Sequence, residues 1–478
     1  MNLADRSCMK RPIHIVVIVS IITGCSTAPH VTTRSVASDE AGSTPQIKSC
    51  SDLGALQQTS SLQTNVEYKG NNGFSFEIFK FSGTKGSEEI TSCLTLERQL
   101  TSFVQLGIPG ASMVIETPNF KFIGSQGVAV KGANTPMRPD QLIRAASTSK
   151  PYVGVLSTVL AEEGKLDLDN SDGMHSLADY LPVLTTTHGD QLTTDCIQNS
   201  KQITLREMLT HTSGIYDYYS ELLIESITRY HNSKAGVSET DAFDILCEKT
   251  SVPSFPPGTM DPKNPGMRQA QYSNSNYLLM GMILNKVLHK HFSLEITKRF
   301  FKPLGMKDSY WEKYNPFNYN HEPLDYGRLV HGYQPTSIPF LTAVLGFNLG
   351  TNDFFDIDTG WGFANGGMIS TVIDEENFFH AVFDNPDFPV ANKDKFLKDF
   401  FPQPGYPLGN GIVQQDAPGC YRHDGKFTGY MSSAFHCMNK DVTGYIFING
   451  TNQMDDSEAS DNFETLKDSV TKHIETSF

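Results

Sequence analysis

A serine three residues ahead of a lysine occurs four times in this 478-residue chain: "SCMK" at Ser7, "SGTK" at Ser82, "STSK" at Ser147 and "SVTK" at Ser469. On a helix this spacing puts both side chains on one face. A serine hydroxyl is a poor nucleophile until a neighbouring base takes its proton as it attacks. A lysine can be that base when burial keeps its amine neutral. Only Ser147 is followed, in order, by "YSN" (Tyr272, Ser273, Asn274) and "HDG" (His423, Asp424, Gly425). Ser469 has no chain left to supply them, Ser7 lies in a leader segment, and Ser82 has no apolar helix behind it. By itself "STSK" is equally an ordinary helix start; with a phenol and an imidazole downstream it becomes a candidate for acyl transfer. Either Lys150 as an amine, or Tyr272 as a phenolate supported by Lys150 and His423, can take the proton, and the residue types leave both open. Asn274 can orient a substrate amide or the lysine.

These residues need elements to carry them. "PYVGVLSTVLAEEG" is apolar at helical spacing up to Gly164, which places Ser147 at or near a helix N-terminus, where the helix dipole favours a developing oxyanion. Ahead of it, "SCLTLERQLTSFVQLG" reads as a helix from about residue 91 to Gly107, followed by the strands "ASMVIE" and "FKFIGSQGVAV". Residues 203–215, 274–288 and 366–383 read as further helices, "HDG" lies in a strand ending at a turn, "TGYIFING" is a strand, and a helix closes the chain near 459–476. Strands at both ends around a helical middle predict an α+β (α/β) body, one sheet assembled from the two termini with an all-helical insertion at roughly 155–365. "HTSG" (His211–Gly214) reads as a structural turn, His289 and His291 as surface residues, and "NDFFDID" lacks the spacing and glycine of an EF-hand.

The basic "MKRP", the apolar "IHIVVIVSII" and the small residues before Cys25 read as a leader over residues 1–24, too short to span a bilayer, which takes about 20 apolar residues. Residues 25–49 are rich in Ser, Thr, Ala and Pro and read as a solvated tether; residues 50–90 read as an extension packed on a body spanning 91–478. The formal net charge of −15 argues against nucleic acid or an anionic membrane surface as a partner. Beyond Cys25, six cysteines suit an oxidising compartment, and Cys420 and Cys437 face each other if "GCYRHDG" and "GYMSSAFHC" are arms of a hairpin. Free buried thiols are the expectation for the other four. No cysteine spacing resembles a structural zinc site, and no metal or cofactor is expected.

The chain resembles the serine β-lactamase and penicillin-binding superfamily, whose motifs are S-x-x-K, S-D-N and K-T-G. The match is nearer the branch of class C β-lactamases, D-alanyl-D-alanine carboxypeptidases, D-aminopeptidases and related esterases, where Tyr-x-Asn stands in place of S-D-N. "LREMLTHTSGI", "YSNSNYLLMG", "FKPLGM", "GGMIST" and "HDGKFTGYMSS" support it, from about residue 95 to 452. The resemblance implies a β-lactamase/transpeptidase-like fold and an oxyanion hole from the backbone amides of Ser147 and Lys426. Cys25 resembles the lipidated cysteine of bacterial lipoproteins, which implies export and a lipid anchor at the periplasm or cell surface. His423 stands where β-lactamases carry lysine, so any help from its charge should titrate. Asp424, if it faces the cleft, repels β-lactams and peptide C-termini and favours esters, amides or amine-bearing substrates; if it points away, that inference fails. The expected protein is a lipid-anchored serine hydrolase acting on a peptidoglycan peptide, ester or amide as a D-amino-acid peptidase, carboxypeptidase or esterase. A true β-lactamase comes next, and a non-catalytic binder of cell-wall fragments is the alternative of another class.

Overall fold

The computed structural model describes residues 66–69, 75–80, 86–118, 120–185, 191–219, 238–249, 253–312, 327–333, 353, 355, 363–414, 419–427, 429–450, 463–465, 467–470 and 472, all within one unit, residues 46–478. The leader, Cys25, the tether, Cys50, Ser7 and Ser82 lie outside them.

Strands β1 (Val66–Lys69) and β2 (Ser75–Lys80) precede helix α1 (Gly86–Gln105), then β3 (Gly110–Glu116), β4 (Phe120–Val130), β5 (Thr135–Pro136) and β6 (Ile143–Arg144). Helix α2 (Lys150–Glu162) leads to the short strands β7 (Leu184–Thr185) and β8 (Gln191–Leu192) and to helices α3 (Leu205–Leu209), α4 (Glu239–Lys249) and α5 (Asn274–Leu288). After β9 (Tyr310–Trp311) come α6 (Phe363–Gly366), β10 (Met368–Ser370), α7 (Val372–Phe383), α8 (Lys393–Phe400) and β11 (Val413–Gln414). The last strands are β12 (Cys420–Phe427), β13 (Tyr430–Cys437) and β14 (Val442–Ile448).

The main sheet runs β1-β2-β4-β3-β14-β13-β12-β11, with β5 beside β4. It joins the two ends of the chain where β3 pairs with β14, Ile115 opposite Gly444. The extension at residues 50–90 therefore contributes strands: β2 adds to β4 with Ser75 opposite Ser125, and β1 adds to β2.

Every residue of β13 and β14 is buried, because both faces of the sheet are covered. On one face Leu96, Leu100 and Phe103 of α1, at helical spacing, join Met113, Ile115, Phe435, Ile446 and Val470. On the other, Tyr152 of α2 and Phe378 of α7, stacked at 3.7 Å, pack with Val114, Ala434 and Tyr445. Each such side chain taken from water stabilises the fold by about 1.5–3 kcal/mol.

The helical readings hold best where apolar spacing is longest. α1 stops before Gly107 at φ +90°, α2 before Gly164 at +69°, and α5 spans Asn274–Leu288. Two others break up. The helix expected over 203–215 is only α3, capped by Thr204 Oγ1, which accepts from Glu207 N at 3.1 Å; His211 (φ +56°) and Gly214 (+74°) then turn the chain away. The helix expected over 366–383 divides into the end of α6, then β10, which pairs with β6 and β9, then α7, capped by Thr371. The insertion is not all-helical, since β7 and β8 pair within it. Residues 463–465, 467–470 and 472 are helical, within the expected closing helix.

The hairpin of β12 and β13 sets Cys420 opposite Cys437, and the two are bonded. Cys196 and Cys247 are also bonded to each other, and Cys93 is disulfide-bonded too, which corrects the expectation of free thiols there.

Candidate active site

The chain leaves β6 at Arg144 and makes a 3-10 turn over Ala146–Ser149 before α2 begins at Lys150. Ala146 is left-handed, at φ +54°, a conformation that costs a non-glycine residue roughly 1–3 kcal/mol. A set of bonds holds it. Ala145 N donates to Met368 O, Ser432 Oγ and Thr148 Oγ1 donate to Ala145 O, and Ser149 Oγ donates to Ala146 O. On β12, a Cβ at Gly425 would lie 2.2 Å from Ser432 Oγ and 2.6 Å from Ala145 O, so only glycine lets the "HDG" strand approach the turn this closely. Thr148 and Ser149 bond to the turn's backbone, leaving the Ser147 hydroxyl for other partners.

Those partners are the ones that its spacing to Lys150 and the downstream "YSN" suggested. Tyr272 OH donates to Ser147 Oγ at 2.8 Å, and Lys150 Nζ lies 2.9 Å from the same oxygen. The amine also reaches Asn274 Oδ1 at 2.9 Å and Asn365 O at 2.5 Å, and sits 4.9 Å from the Tyr272 ring centroid. Lys150 is fully buried. Burial pushes its ammonium down to about 7, against the pull of the Asp217 carboxylate. Tyr272 is 44 % exposed, yet desolvation around its hydroxyl, against the hydrogen bond to Ser147 and with Asp217 nearby, moves its phenol upward, and the hydroxyl stays protonated near neutrality.

His423 departs from expectation, and Asp424 takes the second of the two orientations left open for it. His423 is buried, its ring centroid 6.3 Å from that of Tyr272, and its Nδ1 lies 2.7 Å from Asp424 O, so Nδ1 carries the proton. Burial first, and Lys150 next, push it down to about 4, so it is neutral near pH 7 and cannot lend a positive charge to a phenolate there. Asp424, next along the strand, points to the other face. Its carboxylate accepts from Ser433 Oγ at 2.6 Å and from Lys467 Nζ at 2.9 Å, and is held below its ordinary value by Lys467 and Arg422 against burial. The carboxylate is turned to Ser433 and Lys467, so the inference of a substrate preference from a cleft-facing Asp424 fails. Lys426 follows on the strand and is exposed. Ser469 lies apart, its Oγ accepting from Gln99 Nε2.

Four residues were not singled out for this site. Asp217 accepts from Asn274 N at 3.0 Å and Asn274 Nδ2 at 3.2 Å. Tyr218 OH accepts from Asn365 Nδ2 at 2.7 Å, and Asn365 gives Lys150 its carbonyl. His211 is buried beneath Tyr272, rings 4.4 Å apart, and its Nδ1 accepts from Ser273 N at 3.1 Å. "IYDYY" directly after "HTSG" was the available signal: an acid and phenols beside a turn that packs on "YSN". His289 closes α5 and His291 caps the next helical turn, neither at the site. Among the described residues, Glu116, Glu376 and His380 converge, but the Lys121 ammonium bonds both carboxylates; Asp167, Asp172 and His175 converge on the surface.

The chain is similar to several known proteins. The chain is 28% identical over 222 residues to protein flp of Staphylococcus aureus (strain MW2), covering 46% of this chain and 38% of that one. It is 24% identical over 224 residues to penicillin-binding protein 4* of Bacillus subtilis (strain 168), covering 46% and 42%. The match thus spans well under half the length of these curated relatives. The D-amino acid amidase of Ochrobactrum anthropi SV3, solved with D-phenylalanine, superposes with a TM-score of 0.62 at 20% identity, over 81% of this chain and 100% of that one, which shows the shared fold. Residues 95–466, more than three quarters of the sequence, match the Beta-lactamase family, and the chain belongs to that family.

Proposed function

We propose that this chain is a serine hydrolase that opens an amide or ester through an acyl-enzyme on Ser147. The observation that carries the reading is the Ser147 hydroxyl held between the Tyr272 hydroxyl and the buried amine of Lys150. Neutral Lys150 takes the proton as Oγ attacks the carbonyl carbon. The Lys150 ammonium gives that proton to the leaving nitrogen or oxygen as its bond to the carbonyl carbon breaks; water then attacks the acyl carbon, passing a proton to Lys150, which returns it to Ser147 Oγ as the acid leaves. The oxyanion would sit between the amides of Ser147 and Lys426; the close approach of β12 at Gly425 supports this, and such a donor is worth about 10²–10³ in rate. Asn274, through the lysine, is a positioning residue.

The substrate class proposed is a D-amino-acid amide or peptide of the cell wall, with simple esters accepted. The fold shared with the D-amino acid amidase supports it. Export and lipid attachment at Cys25 are part of the proposal and rest on the leader sequence; labelled palmitate should enter the full chain and not its Cys25→Ala variant.

The test is the intact mass of the full-length protein in detergent after a fluorophosphonate, an activated ester, a D-amino acid amide or a penicillin, beside Ser147→Ala. An adduct absent from the variant is expected. A folded protein that gains no adduct and turns over none of these overturns the reading in favour of a binding protein.

A further inference from the structure

Lys150 Nζ has three neighbours: Ser147 Oγ, Asn274 Oδ1 and Asn365 O. A neutral amine has two N–H bonds and one lone pair. If both carbonyl oxygens hold the N–H bonds, the lone pair is left for the Ser147 proton; if either carbonyl turns away, the amine is free to donate to Ser147 and its lone pair is lost to the reaction. What fixes the carbonyls therefore decides whether Lys150 is a base.

Three successive residues do so. Asp217 Oδ2 accepts from Asn274 Nδ2 at 3.2 Å, so the other end of that amide, Oδ1, must face Lys150; the flipped amide would set oxygen against carboxylate and NH₂ against the amine. Asp217 Oδ1 holds the backbone of the same residue through Asn274 N at 3.0 Å. Tyr218, fully buried, accepts from Asn365 Nδ2 at 2.7 Å and so ties down the residue whose main-chain oxygen is the second acceptor. Tyr216 O takes the hydroxyls of Ser273 at 3.2 Å and Ser275 at 2.6 Å, on either side of Asn274. Gly281 of α5 lets α6 approach, since a Cβ there would lie 2.6 Å from Ala364 Cβ, one residue before Asn365.

Resting on the acyl-enzyme reading, we infer that Tyr216–Asp217–Tyr218 is a clamp, with Asp217 and Tyr218 as positioning residues that hold both acceptors of Lys150 and aim its lone pair at Ser147. Asp217 also acts on the amine's charge, opposing the larger effect of burial. The titratable groups around the amine are Asp217 from this segment, His211 and His423, and the rings of Tyr272 and Tyr277. Of these only Asp217 favours the ammonium; the two histidines, pushed down by burial and by Lys150, are neutral where the amine titrates. Removing its charge must then lower the pH at which Lys150 gives up its proton.

The test follows Lys150 directly, by ¹³C NMR of lysines labelled at Cε, with the signal assigned by its absence in Lys150→Met, alongside the rate of fluorophosphonate labelling at Ser147 from pH 5 to 9. In the parent the Lys150 midpoint should lie near 7. In Asp217→Asn it should move to lower pH and the labelling rate fall on the order of 10²-fold. In Tyr218→Phe, which keeps the ring and removes only the acceptor, the rate should fall while the midpoint stays. An unchanged Lys150 midpoint in Asp217→Asn, in protein that melts cooperatively, overturns the clamp, as does parental labelling in both variants. Because the NMR titration does not need a reactive serine, a parent protein that is never labelled overturns the acyl-enzyme reading while the midpoint still decides the role of Asp217.

Discussion

Lys150 sets the pH behaviour at the residue scale. Burial moves its proton affinity down to about 7 from the ordinary 10.5, so the base form grows as pH rises and acyl-enzyme formation should climb through an acid limb centred near 7. His423, pushed to about 4, should add no inflection between pH 5 and 8; a kcat/KM profile showing a second step there would contradict its neutrality. The same shift acts on stability. Between about 7 and 10.5 the unfolded chain binds more protons at this residue than the folded one, so its contribution grows more favourable as pH rises through that window. Urea unfolding across that range should show a steeper rise for the parent than for Lys150→Met. Asp424 makes a separate case. Its carboxylate faces Lys467 and Ser433, so Asp424→Asn should leave the ratio of kcat/KM for an anionic and a neutral ester unchanged within about twofold, the scatter expected of a residue that touches no substrate.

At the scale of elements, the site is where a strand, a turn and two helices meet at backbone distance. Gly425→Ala should push β12 away from the Ala145–Ser147 turn, because the new methyl would meet the Ala145 carbonyl and Ser432 Oγ. A displacement near 1 Å costs about 10² in rate, so labelling of Ser147 should drop by that order while circular dichroism stays close to the parent's. Helix α2 carries a second close approach. A Cβ at Gly154 would lie 1.8 Å from Asn410 O, a backbone atom that cannot move aside cheaply, and Gly154→Ala should destabilise by about 1–3 kcal/mol in urea unfolding. Gly425 ends the "HDG" motif and Gly154 lies outside the motifs, yet each is needed for the same reason: two backbones pass where a side chain would stand.

For the molecule as a whole, one sheet ties the first and last strands together, and the third motif is braced from behind by the chain's end. Lys467, with no exposed surface, pairs with Asp424 at 2.9 Å and Glu464 at 2.6 Å. The hairpin carrying "HDG" is further closed by Cys420–Cys437, a separation of 17 residues. Loop-closure entropy for a loop of that size is worth about 3 kcal/mol; the Cys420→Ala, Cys437→Ala pair should lower unfolding free energy by about that much, measured against the oxidised parent.

Helical spacing was enough to set Lys150 beside Ser147, and the order of the motifs, through the family they resemble, added Tyr272 and Asn274 to the same site. The long helices, the terminal strands and the Cys420–Cys437 pairing were legible for the same reason: period and register are local. Residues 203–215 and 366–383 were misread as single helices because their composition allows helix until a cap and a left-handed His211 end one, and a strand partner at Ile143–Arg144 claims part of the other. Which way Asp424 faces, how far His423 is from holding a charge, and the use of Asp217 and Tyr218 were decided only by the tertiary structure. Burial, strand parity and the closing of hydrogen bonds across 50 or more residues depend on which surfaces meet, and no window of sequence contains both partners.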